Sequence, residues 1–104
     1  MSMLCQSTIS TKVSISGVGV HTGKKVNINI LPSSPNSGII FKRIDLNQNN
    51  IVIPNFENVS DATLCTTISN QYGVKVSTVE HLMAAFLGLG IDNAIVEVDS
   101  QEIP

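Results

Sequence analysis

Glu80 and His81 are neighbours, and they stand where an apolar pattern of helical period begins. A carboxylate beside an imidazole offers a proton acceptor and a metal ligand. Adjacent helical residues point about 100° apart, so the two chelate one ion poorly. They can instead hold a ligand and a base on either side of a bound water. Unpaired N–H groups and the helix dipole disfavour positive charge in a first turn. That favours the neutral, metal-binding imidazole and an ionised Glu80 able to accept a proton near neutral pH. The same residues also fit a plainer pattern. Ser77 lies three positions before Glu80, as in a capping box, with His81 then an ordinary surface histidine. On pattern alone both readings stay open.

A zinc site needs three or four ligands. The chain offers His21, His81, Cys5, Cys65 and some carboxylates, with no His-x-x-x-His or Cys-x-x-Cys spacing, so any metal site is partial. Cys65 has the chemistry of a nucleophile but no base paired with it in sequence, and it reads as a buried structural thiol. His21 sits among Gly17, Gly19 and Gly23, where it either meets an anionic substrate or is a plain loop histidine. Gly17-x-Gly19 lacks the third glycine and the following helix of a dinucleotide-binding turn.

The elements that must position these residues follow from periodicity. Val26, Ile28 and Ile30 alternate with Asn27 and Asn29, which predicts a half-buried antiparallel strand over 24–31. Further strands are expected over 7–16, 39–44, 51–53, 61–69 and 94–98, with 17–23, 32–38, 45–50 and 72–73 as turns. From Thr78 the spacing of Val79, Leu82, Met83, Ala85, Phe86 and Leu89 predicts a helix stopped by Gly88 and Gly90. About six strands and one helix make an α+β layer structure, a mostly antiparallel sheet with one helix on one face. One helix covers such a sheet poorly, and the chain stops at Gln101-Glu102-Ile103-Pro104, so a truncated single domain over 1–104 is expected.

Composition narrows the function classes. The 104 residues suffice for one domain, and 42% are hydrophobic, enough for a core. Only 13% are charged and the net charge is −2, with no basic stripe, so nucleic acid is not an expected partner. Cys5 and Cys65 form no disulfide framework and suit a reducing cytoplasm. No secretory signal opens the chain, and no apolar run approaches the ~20 residues of a membrane span.

Four blocks carry a resemblance: Gly17-Val18-Gly19-Val20-His21-Thr22-Gly23-Lys24, Asp61-Ala62-Thr63-Leu64-Cys65-Thr66, Ser77-Thr78-Val79-Glu80-His81-Leu82-Met83-Ala84-Ala85 and Gly88-Leu89-Gly90-Ile91-Asp92-Asn93. In this order they resemble the UDP-3-O-acyl-N-acetylglucosamine deacetylases of lipid A synthesis in Gram-negative bacteria. The resemblance implies a cytoplasmic zinc-dependent amide hydrolase of two domains, each similar to ribosomal protein S5 domain 2, with this chain as the N-terminal one, ending before its second helix. It implies that Glu80 is the general base and His81 a Zn2+ ligand, the remaining ligands lying in a C-terminal domain. Leu64 and Cys65, and more loosely His21, would line the substrate cleft. The chain alone is then expected to be inactive. The alternatives are a non-catalytic α+β binding module, or one that self-associates through the helix face of Leu82, Met83, Phe86 and Leu89.

Overall fold

Alternation builds the centre of the molecule. In β2 (Lys25–Pro32) Val26, Ile28 and Ile30 are buried while Lys25 and Asn27 are exposed, as the pattern predicts. Its antiparallel partner β8 (Ala94–Val98) buries Ala94, Val96 and Val98, and the register sets Ile28 opposite Val98 and Ile30 opposite Val96. Equal register parity puts both apolar sets on one face. The computed structural model describes residues 6–54, 59–61 and 67–104, and all structural statements refer to these.

Five strands form the main sheet, in the order β1-β2-β8-β3-β4, adding β1 (Val13–Val18), β3 (Ile39–Arg43) and β4 (Ile51–Val52). Only β3 and β8 run parallel there. Phe41 stands opposite both Val96 and Val52, and all three are fully buried. A second sheet joins β5 (Val59–Asp61), β6 (Thr67–Ser69) and β7 (Lys75–Ser77) antiparallel. The helix, α1 (Glu80–Leu89), adds Phe86, 4% exposed, to the core shared with Val26, Val76 and Val96. Burying a Phe of this kind stabilises the fold by about 1.5–3 kcal/mol. The fold is therefore α+β, mostly antiparallel, with one helix among the described residues.

Several expectations need correction. The first strand begins at Val13 rather than Ser7. Residues before it are held by one isolated bridge, Thr8 to Asn93, and by side chains: the Asp92 and Asn93 N–H groups donate to the Ser7 carbonyl at 2.9 and 3.0 Å, the Ser7 N–H to Asp92 Oδ2 at 2.8 Å and the Thr8 hydroxyl to the Asn93 carbonyl at 2.6 Å. The capping box does not form. Val79 is the N-cap, with no side-chain cap bond, because Ser77 belongs to β7 and spends its N–H and hydroxyl on the Gln101 carbonyl. Gly88 lies within α1, and Gly90 alone ends it, in the left-handed conformation, while the Ile91 N–H bonds back to the Phe86 carbonyl. On the helix face, Phe86 is buried and Leu82 and Met83 half-buried. The large apolar side chains of α1 that are exposed are Leu87 and Leu89.

Candidate active site

The chain reaches α1 through a tight corner. Thr78 links β7 to the helix with a positive φ of 62°, which for a β-branched residue is an outlier. Such a conformation costs on the order of 1–3 kcal/mol and persists only where its surroundings enforce it. The corner turns the chain so that Glu80 opens the helix half-buried and His81 follows exposed. Together with Leu82 and Ala85, His81 borders a cavity of about 230 Å³ whose other walls are Ile15, Ile28, Ile103 and Pro104. Ile15 is 42% exposed, because β1 is an edge strand and α1 leaves its apolar face open. The His81 imidazole thus stands at the mouth of an apolar groove, with Glu80 next to it in the chain. A roomier cavity of about 360 Å³, by Asn50, Ile51, Asn70 and Tyr72, is lined by no acid, histidine or thiol, so it is the weaker candidate for chemistry.

His21 lies in the hairpin turn between β1 and β2, closed by the Gly19 N–H to the Lys24 carbonyl and the Gly23 N–H to the Gly19 carbonyl, each at 2.9 Å. Its side chain is exposed. Leu64 and Cys65 fall outside the described residues, as does Cys5.

Sequence reasoning missed the residue that joins these parts. Glu102 has 0% exposure, and its carboxylate accepts hydrogen bonds from both blocks. The His21 N–H reaches Oε1 at 3.2 Å and Oε2 at 3.0 Å, the Thr22 N–H reaches Oε1 at 2.9 Å, and the Thr78 hydroxyl reaches Oε2 at 3.1 Å. Burial alone would push the Glu102 carboxyl up. The hydrogen bonds from the His21 and Thr22 N–H groups and from the Thr22 and Thr78 hydroxyls outweigh it, and the group sits below the ordinary glutamate value. Asn93 is a second such residue, 3% exposed: its Oδ1 accepts from the Gly38 N–H and its Nδ2 donates to Gln6. No sequence signal set either apart: Glu102 follows Asp99, Ser100 and Gln101, and Asn93 follows Asp92, so both read as ordinary surface polar residues.

No three His, Cys, Asp or Glu side chains among the described residues converge to hold a metal ion. An exposed imidazole at a cavity rim fits a metal as one donor of a shared set and does not complete one. No helix among the described residues is long and apolar enough to cross a membrane.

The chain belongs to the UDP-3-O-acyl N-acetylglycosamine deacetylase (LpxC) family, whose model matches residues 6–104. Over 102 residues, 98% of this chain, it is 50% identical to a UDP-3-O-acyl-N-acetylglucosamine deacetylase of Colwellia psychrerythraea. Proteins of the same name from Sodalis glossinidius and Haemophilus influenzae are 50% and 46% identical over the same span. The chain covers 33% of the length of each of these curated relatives.

Proposed function

We propose that this chain works within a longer polypeptide as the N-terminal domain, 1–104, of a cytoplasmic zinc-dependent deacetylase. The reaction is hydrolysis of the 2-acetamido group of UDP-3-O-acyl-N-acetylglucosamine in lipid A biosynthesis in a Gram-negative bacterium. The observation that carries this reading is the Glu80–His81 pair at the start of α1, with His81 exposed at the rim of an apolar groove. Family membership over 6–104 supports it.

His81 would hold zinc through its imidazole, with the other ligands supplied by the remainder of the polypeptide. When bound, zinc supplies Lewis-acid chemistry at the amide. Glu80 takes a proton from the attacking water, and the water oxygen adds to the acetyl carbon. Collapse breaks the C–N bond as the proton held by Glu80 is returned to the departing nitrogen, and acetate and the free 2-amine are left. The half-buried setting of Glu80 limits competing bulk water, and the groove offers an apolar wall beside the reacting centre. The His21 turn, Leu64 and Cys65 line the substrate cleft in this reading.

The test is deacetylation by the full-length polypeptide. Release of acetate from UDP-3-O-acyl-N-acetylglucosamine is expected, abolished by a chelator and restored by zinc. Residues 1–104 alone should show neither turnover nor tight zinc binding. Stoichiometric high-affinity zinc binding by 1–104 alone would contradict the shared site. A self-associating module is the second reading, favoured by Leu87 and Leu89, which are 85% and 75% exposed. A clean monomer by light scattering removes it.

A further inference from the structure

Glu102 has no part in the chemistry just described, yet it is the one buried ionisable side chain among the described residues. We propose that Glu102 is a positioning residue: its carboxylate locks the β7–α1 corner to the His21 turn, and so fixes the direction in which Glu80 and His81 leave the fold. The kinetic part of this inference rests on the deacetylase reading. The geometric part does not.

Each of the carboxylate's partners is a donor. Oε2 receives the Thr78 hydroxyl, and Oε1 and Oε2 together receive the His21 and Thr22 N–H groups. Thr78 lies two residues before Glu80 and holds the left-handed φ of 62°. Nothing in its own sequence favours that conformation, so contacts from elsewhere must hold it. Two are visible. The 101–103 segment runs beside β7, with the Ser77 N–H on the Gln101 carbonyl at 2.7 Å and the Ile103 N–H on the Ser77 carbonyl at 3.0 Å. That pairing delivers the Glu102 side chain to the Thr78 hydroxyl. On its other side Gly19 clears the space, since a Cβ there would collide with Glu102 Oε1 and lie 2.6 Å from Thr22 Oγ1.

A glutamine keeps the shape but replaces one acceptor oxygen with a donor amide. The Thr78 hydroxyl can reverse to accept from it, whereas a backbone N–H cannot. Glu102→Gln therefore strains the His21 side, and Thr78→Val, which deletes only the hydroxyl, releases the α1 side.

Both variants are made in the full-length polypeptide, with Gly88→Ala on the exposed helix surface as control. The readouts are the imidazole NMR signals of His21 and His81, and the separate kcat and KM for deacetylation. In Glu102→Gln both imidazole signals should move or broaden, and kcat should fall about tenfold to a hundredfold with little change in KM. Thr78→Val should move the His81 signal and spare that of His21. Should Glu102→Gln fail to fold, Thr78→Val carries the same test. A His81 signal unmoved in a folded variant overturns the positioning role. A wild-type polypeptide without deacetylase activity overturns the reaction instead, and the imidazole signals still decide Glu102.

Discussion

Gly19→Ala is a small change with a large expected cost, and the cost can be worked from the structure. Gly19 is buried and not in the left-handed region, so alanine meets no backbone penalty there. The penalty is steric. The added methyl would overlap Glu102 Oε1, lie 2.6 Å from Thr22 Oγ1 and 3.0 Å from Glu102 Cδ. Glu102 cannot swing aside freely, because its carboxylate is held by the His21 and Thr22 N–H groups and the Thr78 hydroxyl. Overpacking of this kind costs about 1–3 kcal/mol. If the carboxylate retreats instead, charge-assisted bonds worth roughly 1.5–3 kcal/mol each are weakened. A loss of about 2–4 kcal/mol is expected by urea unfolding. Gly23→Ala makes the comparison, since its φ is +71° and nothing lies within 4 Å. Its cost should be only the left-handed penalty of about 1–2 kcal/mol. A Gly19→Ala chain as stable as the parent would refute the reasoning, because it would mean that Glu102 is not held where the hydrogen bonds put it.

Gly88→Ala should act in the opposite direction. It lies inside α1, exposed, with nothing within 4 Å of a new Cβ, and should raise stability by about 0.8–1 kcal/mol in the same unfolding assay. Acid should unfold the chain partly through Glu102. Its folded pKa lies below the ordinary 4.5, so its contribution is complete above pH 4.5 and is lost as pH falls through the lower folded value. Asp99, lowered from 3.8, acts in the same direction: burial raises it, but hydrogen bonds from the Asn27 backbone and side chain outweigh that. Unfolding curves collected from pH 6 downward should be shallower below pH 4.5 for Glu102→Gln than for the parent; parallel curves would contradict this.

The elements that could be read from the sequence were those whose own residues decide them. Val26, Ile28 and Ile30 specify β2 by alternation, and Val79, Leu82, Met83 and Phe86 specify a helix by spacing. The start of that helix was misread because Ser77-x-x-Glu80 matches a local rule, while the structure satisfies Ser77 through Gln101, far along the chain. β7 was hidden for the same reason: its partner contacts, not its three residues, make it a strand. Glu80 and His81 stand out in the sequence as adjacent residues of types that can accept a proton and bind a metal. Glu102 does not, because a buried carboxylate looks in sequence like any surface acid until the donors of His21, Thr22 and Thr78 gather around it. The same holds for Asn93.

The central claim is that Glu80 moves the proton while His81 holds the metal, and one paired measurement tests it most directly. Glu80→Gln and His81→Ala are prepared in the full-length polypeptide, and zinc content and turnover are determined on the same samples. Glu80→Gln should retain zinc near the parent's stoichiometry and lose about 10²–10⁴-fold in kcat. His81→Ala should lose both. Near-parental turnover by Glu80→Gln, or undiminished zinc in His81→Ala, would contradict the account.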